Sequence, residues 1–146
     1  MSTEARASYT DTFSHAFDTK GRITVPSEWR QPGFEENLFV FPSSDACLKV
    51  FPASWLGRLQ EKVSQLKSAD PQRQSIENLA SKAQSASFDQ QGRIMVKEKL
   101  RDGAKLGREA VLVGRLDHFQ IWDKAAWEKK DTATMTVEEA LSAAGL

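Results

Sequence analysis

The 146-residue chain repeats itself, and that limits its fold more than its composition does. The run Phe17-Asp18-Thr19-Lys20-Gly21-Arg22-Ile23-Thr24-Val25 returns as Phe88-Asp89-Gln90-Gln91-Gly92-Arg93-Ile94-Met95-Val96, 71 residues later. Arg30 and Arg101 keep that spacing, and Glu28 and Glu98 fall one residue short of it. Leu38-Phe39-Val40 then aligns with Val111-Leu112-Val113, and Leu48-Lys49-Val50-Phe51 with Phe119-Gln120-Ile121-Trp122. Each copy ends in a Trp-bearing segment, Ala53 to Trp55 or Lys124 to Trp127. One five-residue match would carry little weight. Matches in the same order along both halves mark a duplication, and a chain of this length has room for two small fused half-units.

Each copy reads as β-rich. Phe13, His15 and Phe17 alternate with small residues, as on a half-buried strand. Asp18 to Gly21 puts Asp first and Gly fourth, the pattern of a type I turn whose carboxylate can accept backbone N–H groups. The turn-forming set is therefore Asp18 and Gly21, with Asp89 and Gly92 in the second copy. Arg22 to Val25 alternates again, Ile23 and Val25 facing inward, until Pro26 stops the strand. Leu38 to Phe41 and Leu48 to Phe51 are two further short strands.

Helices separate and follow the copies. Trp55, Leu59, Val63 and Leu66 form an amphipathic stripe. Asp70-Pro71 reads as an N-cap with proline at the first helical position, and Ile76, Leu79, Ala80 and Ala83 as that helix's buried face. Ser81 to Ser87 is polar and small, a run-out into the second copy. Thr136 to Glu139 is a capping-box pattern opening a short terminal helix. The expected division is a tail over 1–12, a half-unit with helix over 13–69, a linking helix over 70–86, a second half-unit over 87–130 and a tail over 131–146.

Composition excludes several classes. The single cysteine, Cys47, rules out an internal disulfide and a Cys-rich metal site. Leu38 to Phe41, the most apolar stretch, is too short to span a bilayer, and the first thirteen residues, with Glu4 and Asp11, lack a secretory core. A cytoplasmic protein is expected. His15 reads as a strand residue, His118 as a solvated turn residue and Cys47 as a small packed hydrophobe. No nucleophile–base constellation, Walker loop or dinucleotide fingerprint is present, so neither an enzyme nor a cofactor, metal or small-molecule substrate is expected.

Net charge is zero, which by itself argues against nucleic acid as a partner. The charges are uneven, however: Arg93 to Arg115 holds seven basic residues against three acids, and Asp117 onward holds six acids against three lysines. Turn geometry explains Asp18, Gly21, Asp89 and Gly92, but it does not require Arg22 or Arg93. Arginine can grip phosphate or the guanine edge with two parallel hydrogen bonds. An Arg–Asp bridge within each turn explains the same spacing equally well, and the two readings are compatible.

Asp18-Thr19-Lys20-Gly21-Arg22-Ile23-Thr24-Val25-Pro26 resembles the first signature of the MraZ family, and Asp89-Gln90-Gln91-Gly92-Arg93 its second. Val111-Leu112-Val113-Gly114 with Ile121-Trp122-Asp123 resembles the family's C-terminal pattern. The resemblance implies a β-rich α+β fold of the AbrB superfamily, a duplicated swapped-hairpin, double-split β-barrel. It implies a ring-shaped homo-oligomer that binds double-stranded DNA at short promoter repeats before the division and cell-wall gene cluster, on the nucleoid. Arg22 and Arg93 would then be the DNA contacts, with Lys20 supporting the first turn. The second copy departs from the pattern: Gln91 replaces Lys20, and Lys97 stands where the first copy has Pro26. Lys97, Lys99 and Arg101 would compensate with phosphate contacts. The rival expectation is an AbrB-like antitoxin or protein-interaction module, whose arginines would pair with acids on a partner protein.

Overall fold

Both copies supply the same run of elements. The first gives β1 (Thr12–Ala16), β2 (Arg22–Thr24), a 3₁₀ turn at Ser27–Trp29, β3 (Asn37–Pro42), β4 (Cys47–Pro52) and α1 (Ala53–Ser64). After α2 (Pro71–Ser81) the second gives β5 (Gln84–Ser87), β6 (Arg93–Met95), α3 (Glu98–Gly103), β7 (Glu109–Gly114), β8 (Phe119–Asp123) and α4 (Lys124–Lys129); α5 (Val137–Ala143) follows. The computed structural model describes residues 7–130 and 135–146. The first six residues, Glu4 among them, and 131–134 of the C-terminal tail lie outside the described residues.

The strands form a six-stranded sheet in the order β1-β7-β8-β4-β3-β5 and a two-stranded ribbon, β2-β6. Every pairing is antiparallel. The copies exchange their first strands: β1 lies on β7 of the second copy, and β5 lies on β3 of the first. The register obeys one internal two-fold. Arg22↔Met95 and Thr24↔Arg93 interchange under the 71-residue shift, as do Leu48↔Ile121 and Val50↔Phe119. Ile23↔Ile94 and Lys49↔Gln120 map onto themselves, so the axis runs through the centre of the ribbon and of the β4–β8 pair.

Period-two alternation sorts the side chains. Ile23, Val25, Ile94 and Val96 beneath the ribbon meet Leu38, Val40, Leu48, Val50, Ala110, Leu112, Phe119 and Ile121 in the main core. The opposite face of the large sheet carries Cys47, Val111, Val113 and Trp122, with Trp127 of α4 packed on them. On the same side Trp55 stacks on Phe51, with ring centroids 3.9 Å apart.

Four expectations need correction. Val40 sits opposite Gln84 and Leu112 opposite Phe13, so Val40 and Leu112 are the equivalent residues. The alignment of Leu38-Phe39-Val40 with Val111-Leu112-Val113 is thus one residue out, because a continuous apolar run carries no internal register mark. Gln84 to Ser87, read as a run-out, is strand β5; its ladder to β3 holds it despite its polarity. The stretch Ile76, Leu79, Ala80 and Ala83 buries nothing fully. Tyr9, inside the expected tail, is 3% exposed and bridges Leu116.

Helix ends follow their sequence cues. Asp70 accepts the Gln72 N–H at 2.8 Å, and Arg73 on α2 donates to the Leu66 carbonyl at 2.9 Å, tying α2 to the end of α1. The Thr136–Glu139 capping box is formed. Among the described residues no helix is long and apolar enough to cross a membrane.

Trp29 is the largest fully buried side chain, set among Tyr9, Phe13 and Phe119 with its indole N–H donating to the Thr10 carbonyl. Trp29→Ala removes that packing and orphans the carbonyl, so it should cost about 3–5 kcal/mol in denaturant unfolding.

Candidate nucleic-acid interface

Asp18 closes its own turn. Its Oδ1 accepts the backbone N–H groups of Lys20 (2.9 Å) and Arg22 (2.8 Å), while the Gly21 N–H donates to the Asp18 carbonyl at 3.1 Å. Its Oδ2 accepts Nε–H of Arg22 at 2.6 Å. Asp89 repeats the arrangement with Gln91 N–H (2.9 Å), Arg93 N–H (2.9 Å) and Arg93 Nε–H (2.9 Å). Gly21 and Gly92 turn the chain at φ +81° and +77°, in the left-handed region.

The two turns also clasp each other. The Gly21 carbonyl accepts the Val96 N–H at 2.9 Å, and the Gly92 carbonyl accepts the Val25 N–H at 3.0 Å. Arg30 donates Nε–H to the Val25 carbonyl and Arg101 to the Val96 carbonyl, both at 2.9 Å. Their guanidinium groups lie against the glycine of the opposite copy's turn, in the space a Cβ would need. Glycine is therefore required there twice over, for φ and for room. Arg30 is the structural residue that the sequence reading left without a role. Arg101 shares that role, and its guanidinium lies over the Phe17 ring at 5.8 Å rather than standing free as a phosphate contact. Their shared 71-residue spacing was the available signal.

On the ribbon, Ile23 and Ile94 point into the core, and Arg22, Thr24, Arg93 and Met95 face outward. Arg22 and Arg93 are diagonal neighbours on the adjacent strands of the ribbon. Their side chains are 34% and 24% exposed, within reach of a partner yet held by the carboxylates. Arg93 Nη1 also lies 3.6 Å from Asp18 Oδ2, so Asp18 faces both guanidinium groups. The intraturn Arg–Asp bridge and the outward arginine thus coexist: Nε is engaged by the carboxylate, and among the described residues no hydrogen bond occupies the Nη groups of Arg22.

Backbone N–H donation from Arg22, with help from its side chain and from Lys20, holds the Asp18 carboxyl at about 2. Asp89 is lowered for the same reason, Arg93 N–H contributing most. Lys20 is exposed on the first turn, where Gln91 occupies the second. Lys97 and Lys99, exposed at the start of α3, line a cavity together with Lys82. Among the described residues no hydrogen bond or ion pair of their side chains joins them to either turn. His118 departs from the solvated reading: its side chain is 15% exposed, stacked on Phe51 at 4.4 Å and bonded through Nδ1 to Asp117. No cluster of potential metal ligands occurs among the described residues.

Comparison with known proteins agrees with this two-copy arrangement. A family model described as MraZ protein, putative antitoxin-like, matches residues 9–78 and again 79–141. The transcriptional regulator MraZ of Pediococcus pentosaceus is 38% identical over 128 residues, covering 87% of this chain and 85% of that protein. The transcriptional regulators MraZ of an Acidovorax and a Mycobacterium species are each 35% identical, over 130 and 134 residues. Those matches cover 86% and 91% of this chain, and 89% and 91% of theirs.

Two predictions follow from the turn geometry. A carboxylate whose folded pKa is depressed contributes stability above its ordinary value and loses it as pH falls through the folded value. The Asp18 contribution should therefore be present at neutral pH and vanish between 3.8 and about 2. In acid-unfolding curves Asp18→Asn should flatten that window and leave the slope above it unchanged. Gly92→Ala must accommodate both φ +77° and the Arg30 guanidinium. It should cost more than about 1 kcal/mol in thermal unfolding.

Proposed function

The chain belongs to the MraZ family, and from that membership we propose that it is a transcriptional regulator that lays its β2–β6 ribbon into the major groove of double-stranded DNA. The family is one of transcriptional regulators and not of enzymes. The observation that carries the reading is the pair of turns in which a carboxylate aims an arginine outward from one rigid ribbon. The major groove admits a two-stranded ribbon, and an arginine with its Nη groups available can read guanine O6 and N7. Arg22 and Arg93 are the base or phosphate readers, Lys20 supports the first turn, and Asp18, Asp89, Gly21 and Gly92 build the turns. Lys97 and Lys99 are secondary phosphate contacts at most, given their place around the α3 cavity.

The exchanged first strands and the internal two-fold support an AbrB-like swapped-hairpin, double-split barrel, with the expected boundary at residue 87 moved back so that β5 (Gln84–Ser87) opens the second half-unit. The two arginines and two aspartates cancel in charge, so one ribbon holds DNA weakly. A ring of copies on short promoter repeats raises affinity through effective concentration. Control of the division and cell-wall gene cluster, in the cytoplasm and on the nucleoid, fits this assembly. An antitoxin-like interaction module is the second reading, favoured by the zero net charge and the wording of the matching family model.

Arg22→Ala should weaken operator binding by about 1–3 kcal/mol per engaged turn, and Arg93→Ala by less. The Nε bond to Asp18 predicts that Arg22→Lys, which loses the aimed fork, fails as well. Gel shifts on DNA upstream of the protein's own gene, with oligomer size checked by light scattering, measure both. Unchanged affinity in Arg22→Ala would rule out the ribbon as the reader. Log affinity should also fall with log salt, by about 0.9 for each phosphate contacted.

A further inference from the structure

One of the departures from the internal two-fold leaves a space behind. In one half of the molecule Phe13, Trp29 and Phe119 pack together, with the Trp29 ring 5.2 Å from Phe13 and 4.9 Å from Phe119. The residues 71 positions away, taken with the strand exchange, are Gln84, Leu100 and Leu48. All three are smaller or polar, and all three line a cavity of about 410 Å³. The space that three aromatic rings fill in one half is open in the other.

The cavity has definite chemistry. Leu48 and Leu100 give it an apolar floor, while Lys82, Lys97 and Lys99 stand around it and no acid lines it. Gln84 is a fixed wall, because its amide N–H donates to the Met95 carbonyl at 2.7 Å and its Oε1 accepts the Lys97 N–H at 2.8 Å. A cavity whose lining includes two leucines and three lysines suits a flat apolar body with an anionic head. From the missing rings and the lysines we infer that this cavity is a binding site for a small aromatic anion, such as an aryl carboxylate or sulfonate. The ring takes the volume that Trp29 and its neighbours occupy on the other side, and the acid group meets the lysines.

The probe is 1-anilinonaphthalene-8-sulfonate, titrated into the intact full-length protein and followed by fluorescence. The proposal expects saturable enhancement, with neutral indole competing at least about tenfold less well than benzoate because only the anion engages the lysines. Leu100→Trp installs the residue that the filled half already carries, and it should abolish the enhancement while holding or raising Tm. Lys82→Glu with Lys97→Glu changes only exposed side chains and should weaken the dye about tenfold or more; it tests the site even if Leu100→Trp fails to fold. No saturable enhancement in the unaltered protein would overturn the proposal. So would dye binding that survives the lysine pair, which would mean the dye sits on an apolar surface such as Val137 and Leu141 of α5.

Discussion

The edge strands β1 and β5 find their ladder partners in the opposite copy, and the rest of the molecule depends on that exchange. A copy alone would present β1 and β3 with unpaired edges and leave the Ile23 side of a three-residue strand uncovered. Pairing β2 with β6 buries Ile23 against Ile94 on the two-fold axis and completes the core from above. Joining the halves in one chain turns what would be an association step into an internal closure, whose entropic cost grows only slowly with the length of the α1–α2 connection. The penalty is a high share of non-local pairing, which slows folding.

The same exchange makes the candidate site. Each turn is held by its own aspartate, but its glycine carbonyl is bonded to the other copy's strand, and its glycine is packed by the other copy's arginine. Neither arginine is positioned by its own half alone. Rigidity in the arginine pair therefore comes from backbone bonds across the axis, and the carboxylates add direction. Because Asp18 faces both Arg22 and Arg93 and Asp89 holds Arg93, the cluster of two arginines and two aspartates is electrically balanced.

What could be read from sequence was local. The Asp-x-x-Gly-Arg turn was legible because every bond that builds it lies within five residues, and the caps of α2 and α5 were legible for the same reason. The ribbon's alternation placed Ile23 inward and Arg22 outward, as found. Strand exchange was expected only from the family resemblance, since a strand's own composition does not say which partner it will take. Gln84-Ser85-Ala86-Ser87 could not announce a strand, because it is held by its ladder to β3 and by the Gln84 side chain, not by apolar content. Leu38 to Phe41 concealed a one-residue slip because each position is equally apolar. His118 read as solvated because Phe51, which covers it, is far away in the sequence.

The two-fold is kept where the halves must meet and lost where they need not. Ile23, Ile94, the turn aspartates, the turn glycines and the packing pair Arg30 and Arg101 are all held to the symmetric pattern by mutual contact. Away from the axis the halves diverge: Trp29 answers to Leu100, Phe13 to Gln84 and, around the outward face of the ribbon, Lys20 to Gln91 and Thr24 to Met95. A perfectly two-fold ribbon would read a palindrome, because each end would ask for the same bases. Here one end offers Arg22 with Lys20, and the other Arg93 with Gln91; Met95 stands exposed opposite Arg22, and Thr24 lies opposite Arg93. An exposed methionine favours an apolar group such as the thymine methyl, whereas threonine can also donate or accept a hydrogen bond. A ribbon with unlike ends has a direction. On the reading proposed above, sites repeated head to tail suit it better than inverted ones, and the loss of internal symmetry becomes part of the specificity.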